Sequence, residues 1–189
     1  MSANDAPQRL AVAAVLELPV GRGLWIGRDM NRVLDGFIGG WNVSTILTEQ
    51  SGQPMAIAMS QGYLADGNQR PNVTCNPSSG ISFHQAAATG ASLFNAACFG
   101  FPGYNQPGNA PRYFSTLRSN GIHSMDLAFY KTIKLRESMS LQVRADFFNF
   151  TNTPRFAIPD TLYGDSTFGQ VSSTLAPPRY GQFGLRFEF

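Results

Sequence analysis

The last ten residues, YGQFGLRFEF, alternate strictly between two kinds of side chain. Phe189, Phe187, Leu185, Phe183 and Gly181 fall on one side, and Glu188, Arg186, Gly184, Gln182 and Tyr180 on the other. Successive side chains of a strand point to opposite faces, so this spacing predicts a strand with one apolar aromatic face and one polar face. The pattern runs to the terminal phenylalanine, where soluble domains usually fray. Two environments satisfy such a strand. The aromatic face could meet lipid, or the strand could be the amphipathic edge of a soluble sandwich.

Four further segments carry the same alternation. In residues 9–18, Leu10, Val12, Ala14, Leu16 and Leu18 oppose Arg9, Ala11, Ala13, Val15 and Glu17, and Pro19, Gly21 and Gly23 then stop the run. In residues 37–50, Trp41, Val43, Thr45 and Leu47 oppose Asn42, Ser44, Ile46 and Thr48. Residues 124–135 place Met125, Leu127, Phe129, Ile133 and Leu135 on one face, interrupted by Lys131. At a membrane boundary that lysine would snorkel; on a soluble sheet it would mark the solvent face. Arg136, Glu137 and Ser138 form a tight turn into residues 139–150. There Leu141, Val143, Ala145 and Phe147 oppose Gln142, Arg144, Asp146 and Phe148. Residues 180–189 are the fifth strand. The fold class expected is all-β and antiparallel. Each strand is long enough to cross a bilayer at a tilt, which takes ~9–11 residues. Residues 51–120 and 151–178, rich in Gly, Pro, Asn and Ser, read as long loops. Long connections at one end and shorter ones at the other are the pattern of outer-membrane barrels. On that pattern the loops lie outside the cell, and the 136–138 turn and the carboxyl terminus lie in the periplasm.

Composition fits this reading and removes others. Charged residues make up 14%, against ~25% in soluble domains. No run approaches the ~18 apolar residues of a membrane helix. The net charge of +2 is too small to argue for nucleic acid. Cys75 and Cys98 could be joined by a disulfide or stand as two unrelated thiols. No CxxC occurs, and His84 and His123 lack ligand spacing, so no metal or other cofactor is expected. Gly21, Gly23 and Gly27 superficially suggest a phosphate loop, but residues 29–33 offer no convincing helix, and a turn is the better reading. Neither histidine has an evident nucleophile or carboxylate partner, and Asp126 and Asp146 sit on polar strand faces. The chain is therefore expected not to be an enzyme. Residues 1–8 hold no secretory signal. Since an outer-membrane protein must be exported, the chain is expected to be a C-terminal piece of a longer one.

Residues 141–152, LQVRADFFNFTN, followed by Pro154 and Phe156, resemble the penultimate strand of TonB-dependent receptors, where an R-x-E/D-x-F-N-x-x-N pattern recurs. Residues 18–23 (LPVGRG), 39–44 (GGWNVS) with 51–54 (SGQP), and 108–112 (GNAPR) ahead of 126–131 (DLAFYK) are similar to the large-receptor branch with an N-terminal carboxypeptidase-regulatory-like domain. The resemblance spans nearly the whole chain in order. It implies the last ~5 strands of a barrel of about 22 strands around a plug. It also implies energy-coupled uptake of a scarce nutrient. The partners it implies are the barrel-assembly machinery, outer-membrane lipid, an inner-membrane energy-coupling complex reached through an absent N-terminal part, and an unidentified ligand. The rival readings are another, porin-like barrel and a secreted β-sandwich that binds carbohydrate or protein.

Several residues acquire expected roles. Phe183, Leu185, Phe187 and Phe189 would form the assembly signal and face lipid. Arg144, Asp146, Arg186 and Glu188 would face the lumen. Charge pairing favours a register with Arg144 opposite Glu188 and Asp146 opposite Arg186, which also sets Ala145 beside Phe187. Tyr63, His84, Tyr104 and Tyr113 are the loop residues suited to touching a ligand.

Overall fold

The structure, a computed structural model, describes residues 1–65 and 67–189. It divides into two compact units. One holds residues 10–49, 123–153 and 177–189; the other holds residues 1–9, 50–122 and 154–176.

The first unit is a five-stranded sheet. Its strands are β1 (Arg9–Glu17), β2 (Trp41–Gln50), β6 (Ile122–Arg136), β7 (Met139–Phe148) and β9 (Tyr180–Glu188), in the order β1-β2-β6-β7-β9. The pairs β6/β7 and β7/β9 are antiparallel. Among the described residues the sheet is open: β1 and β9 each keep one unpaired edge.

One end of β1 and β2 differs from the sequence reading. Phe37 and Ile38, expected in the second strand, close a helix, α1 (Arg32–Ile38). A helix was not expected over residues 29–33 either. The correction has a local cause. The Asn31 side chain caps the helix by accepting from the Leu34 N–H at 2.8 Å. Gly39 and Gly40 then break it, with Gly40 at φ 69°, and strand alternation starts only at Trp41. Gly21 closes a turn instead of a phosphate loop, donating its N–H to the Ile26 carbonyl at 2.8 Å.

The two faces of the sheet segregate as expected. Val143 pairs with Leu185, Leu141 with Phe187, and Ala145 with Phe183 on the apolar face. The rings of Phe129, Phe147 and Phe183 run across it in edge-to-face contacts of 6.1 and 6.4 Å. Lys131 lies on this same face, opposite Val143. It neither snorkels nor marks a solvent face. It is 8% exposed, and its ammonium donates to the carbonyls of Asp35 (3.3 Å), Gly36 (2.6 Å) and Gly39. These are carbonyls at the C-terminal end of α1, where the helix leaves acceptors unsatisfied and its dipole favours a cation.

The β7/β9 register is not the expected one. Ala145 pairs with Phe183 rather than Phe187, a shift of four residues. Because the shift is even, every side chain keeps its face. Arg144 lies opposite Gly184, and Asp146 opposite Gln182. Charge pairing, at ~0.2–1 kcal/mol per cross-strand pair, is outweighed by packing. Phe147 covers Gly181, whose hypothetical Cβ would stand 3.2 Å from the ring, and Phe148 stacks on Tyr180 at 4.9 Å. Paired Cα atoms at ~4.5–5.5 Å suit a disulfide. Cysteines at 146 and 182 are thus expected to crosslink readily in the assembled protein, and cysteines at 146 and 186 are not. Preferential 146–186 linkage on a non-reducing gel would show the register to be wrong.

The second unit is built from the stretches read as loops. It contains β3 (Ala58–Met59) paired in parallel with β8 (Leu162–Tyr163), and β4 (Asn72–Val73) paired antiparallel with β5 (Phe99–Gly100). It also holds α2 (Phe83–Thr89), with a Ser82/Gln85 capping box and Gly90 as left-handed C-cap. Its core gathers Met55, Ile57, Ala86, Leu93, Phe94, Phe99, Ala110, Phe114, Leu117 and Phe168. Phe99 is the hub, with ring contacts to Phe168 (5.3 Å), Tyr163 (5.7 Å) and Phe114 (6.1 Å).

Candidate functional site

The motif residues owe their identity to turns and close approaches. Asn149 and Asn152, the two asparagines of the F-N-x-x-N pattern, both take positive φ, 48° and 52°, which asparagine tolerates better than most residues. Asn149 ends β7 there. Its N–H donates to Asp126 Oδ1 at 2.9 Å, and its side chain bonds both the N–H and the carbonyl of Thr153. Asn152 accepts from the Arg179 N–H at 2.9 Å. In the GNAPR run, a Cβ on Gly108 would overlap the Arg70 and Pro71 carbonyls. Asn109 beside it brackets Val73, accepting from its N–H at 2.6 Å and donating to its carbonyl at 3.2 Å. In SGQP, a Cβ on Gly52 would overlap the Ser119 carbonyl.

The structure joins Cys75 to Cys98 in a disulfide, with Cα atoms 5.1 Å apart. Cys98 is 1% exposed and adjoins Phe99. In the chain-entropy account a loop of this size contributes ~3 kcal/mol to the unit that contains it.

Among the described residues, three hollows meet residues singled out from the sequence. The first, about 370 Å³, lies on the polar face of the sheet and is lined by Ser44, Asp126, Arg144, Asp146, Phe148 and Gln182 among others. Arg144 and Asp146 both lie here, bonded to each other along the strand at 2.7 Å. Gln182 donates to the second Asp146 oxygen at 3.2 Å. Arg186 and Glu188 form a separate pair on the same face, at 2.8 Å. Glu188 also accepts from Ser140 at 3.2 Å. The cross-strand pairs expected between these four residues are replaced by pairs within each strand. Phe183, Leu185, Phe187 and Phe189 are 82%, 76%, 49% and 93% exposed. That is a row of large, exposed apolar side chains.

The second hollow, about 380 Å³, is in the other unit and brings Tyr63 and Tyr104 together. Phe101, not singled out from the sequence, is the third ring, and the three touch edge-to-face at 4.8–5.6 Å. Nothing in the sequence near Phe101 marks it, because the contact depends on how the loop folds. Tyr113 lines the third hollow, about 320 Å³, with Met55 and Ile158 among others, and His84 lies elsewhere. The Arg112 guanidinium sits 5.7 Å from the Tyr113 ring centre, and His84 meets the edge of Phe156. His123 and Glu49 contact each other across the ends of β6 and β2.

An antiparallel sheet with an exposed aromatic row on one face and charged residues on the other has the architecture of a membrane sheet. Residues 1–182 match the family described as the outer membrane beta barrel domain. The chain belongs to this family, and its place is the bacterial outer membrane. No curated protein and no solved structure matches it.

Proposed function

We propose that the chain is the C-terminal barrel segment of a TonB-dependent outer-membrane receptor, which binds a ligand and passes it inward without making or breaking bonds. The observation that carries this reading is the unit formed by residues 50–122 and 154–176. Two long connecting segments fold together around a shared aromatic core and a disulfide. Such a unit suits ligand capture outside the cell. The order of the sequence motifs supports the same family. The unpaired edges of β1 and β9 cannot face lipid, where each unsatisfied backbone group costs several kcal/mol. Further strands of the parent barrel would cover them. The polar face with Arg144, Asp146, Arg186 and Glu188 would then line the lumen around a plug. The aromatic row on β9 would face lipid and be read by the assembly machinery.

Conductance separates this reading from a porin-like barrel. The full-length parent protein in a planar bilayer is expected to show no steady open pore until urea displaces the plug. A stable open pore from the moment of insertion would contradict a plugged receptor.

A further inference from the structure

We propose that the hollow walled by Tyr63, Phe101 and Tyr104 binds a neutral carbohydrate, a ligand class that rests on the receptor reading above. Among the described residues the lining is uncharged: besides the three rings it has Met59, Ser60, Gln61, Tyr163 and Gly164. An anionic iron chelate or an acidic peptide entering here would give up hydration without gaining a cationic partner from the described lining. A sugar has matching chemistry. Its C–H faces suit the electron-rich faces of aromatic rings. Its hydroxyls suit the Ser60 hydroxyl, the Gln61 amide and the Tyr104 hydroxyl, each of which can donate or accept. The Tyr63 hydroxyl, by contrast, donates to Gln61 Oε1 at 3.1 Å, and the Tyr163 hydroxyl to the Phe99 carbonyl at 2.9 Å.

The rings belong to the surface and not to the core. Tyr63, Phe101 and Tyr104 are 40%, 46% and 69% exposed. Their positions are nonetheless fixed from beneath by a buried polar residue. Gln69, 1% exposed, accepts from the Tyr63 N–H at 3.0 Å through Oε1. Its Nε2 donates to the carbonyls of Gly103 and Gln106, both at 2.8 Å, on either side of Tyr104. Its own carbonyl accepts from the Met59 N–H at 2.8 Å. One side chain and its backbone thus tie the floor and two walls together. Such preorganisation lowers the ordering cost of binding.

The test is calorimetric titration of the detergent-purified full-length protein with four neutral hexasaccharides (maltohexaose, cellohexaose, xylohexaose and mannohexaose) and with ferric citrate. Saturable binding of at least one hexasaccharide and none of ferric citrate is expected. Tyr104→Ala should weaken that binding about tenfold or more, as loss of an anchoring aromatic does, while Tyr113→Phe should leave it unchanged. Heat-modifiable migration and an intact Cys75–Cys98 bond establish that each variant is folded. Binding of ferric citrate alone, no binding of any hexasaccharide, or an affinity indifferent to Tyr104→Ala overturns the proposal. These outcomes are separable from failure of the receptor reading. A plugged barrel that binds no sugar defeats only the carbohydrate assignment, and an open pore that binds sugar defeats only the receptor.

Discussion

Replacing Leu185 by arginine is expected to cut the amount of assembled protein in the outer membrane severalfold or more. Leu185 sits in the middle of β9, opposite Val143 on the apolar face, and is 76% exposed. On the proposed reading that exposure would be contact with lipid. An arginine there costs ~2–4 kcal/mol near the bilayer midplane. The same substituent three residues away gives the control. Gln182 is on the polar face, opposite Asp146, so Gln182→Arg places its guanidinium beside a carboxylate. Its yield, read as heat-modifiable band intensity in the membrane fraction, should stay close to that of the parent. Equal yields for the two arginine variants would mean that the two faces do not differ in environment.

Phe99→Ala should loosen the second unit while leaving the sheet assembled. Phe99 is 6% exposed and meets three other rings. Truncating a buried phenylalanine costs ~3–5 kcal/mol, because the surroundings close only partly over the cavity. That is comparable to the ~3 kcal/mol ascribed to the adjoining disulfide, and large against the stability of a unit this small. Trypsin applied to intact outer membranes is expected to cut at Arg112 and Arg118 in the variant. Arg118 is otherwise held by a 2.7 Å ion pair to Asp5. Protection equal to that of the parent would show that Phe99 is not central to the unit.

The five long strands and their faces were legible in the sequence, because a period of two shows in residues such as Phe183, Leu185 and Phe187 without any knowledge of partners. What was not legible depended on contacts between distant segments. The helix Arg32–Ile38 hid because seven residues are too short for periodicity to register, and its cap, Asn31, is a single residue. The register of β7 against β9 was misread by four because charges were the visible cue, whereas Phe147 over Gly181 and Phe148 on Tyr180 are packing events. The second unit escaped altogether. Its core residues, from Met55 to Phe168, are scattered through Gly- and Pro-rich sequence, so no local pattern announces them. Lys131 looked like a defect in an apolar face; its acceptors lie at the end of a helix that had not been anticipated. The Tyr63–Phe101–Tyr104 cluster was half visible. Its two tyrosines stood out as loop aromatics, but Gln69, which holds them together, had no signal in the sequence.

The central claim, that one face of this sheet meets lipid and the other a polar interior, is open to one direct measurement. Spin labels placed singly at positions 182 through 187 in the assembled protein can be probed for collision with oxygen, which concentrates in lipid, and with a water-soluble nickel complex. A period of two is expected, with oxygen favoured at 183, 185 and 187 and nickel at 182, 184 and 186. Uniform nickel accessibility, or oxygen favoured at the even positions, would contradict it.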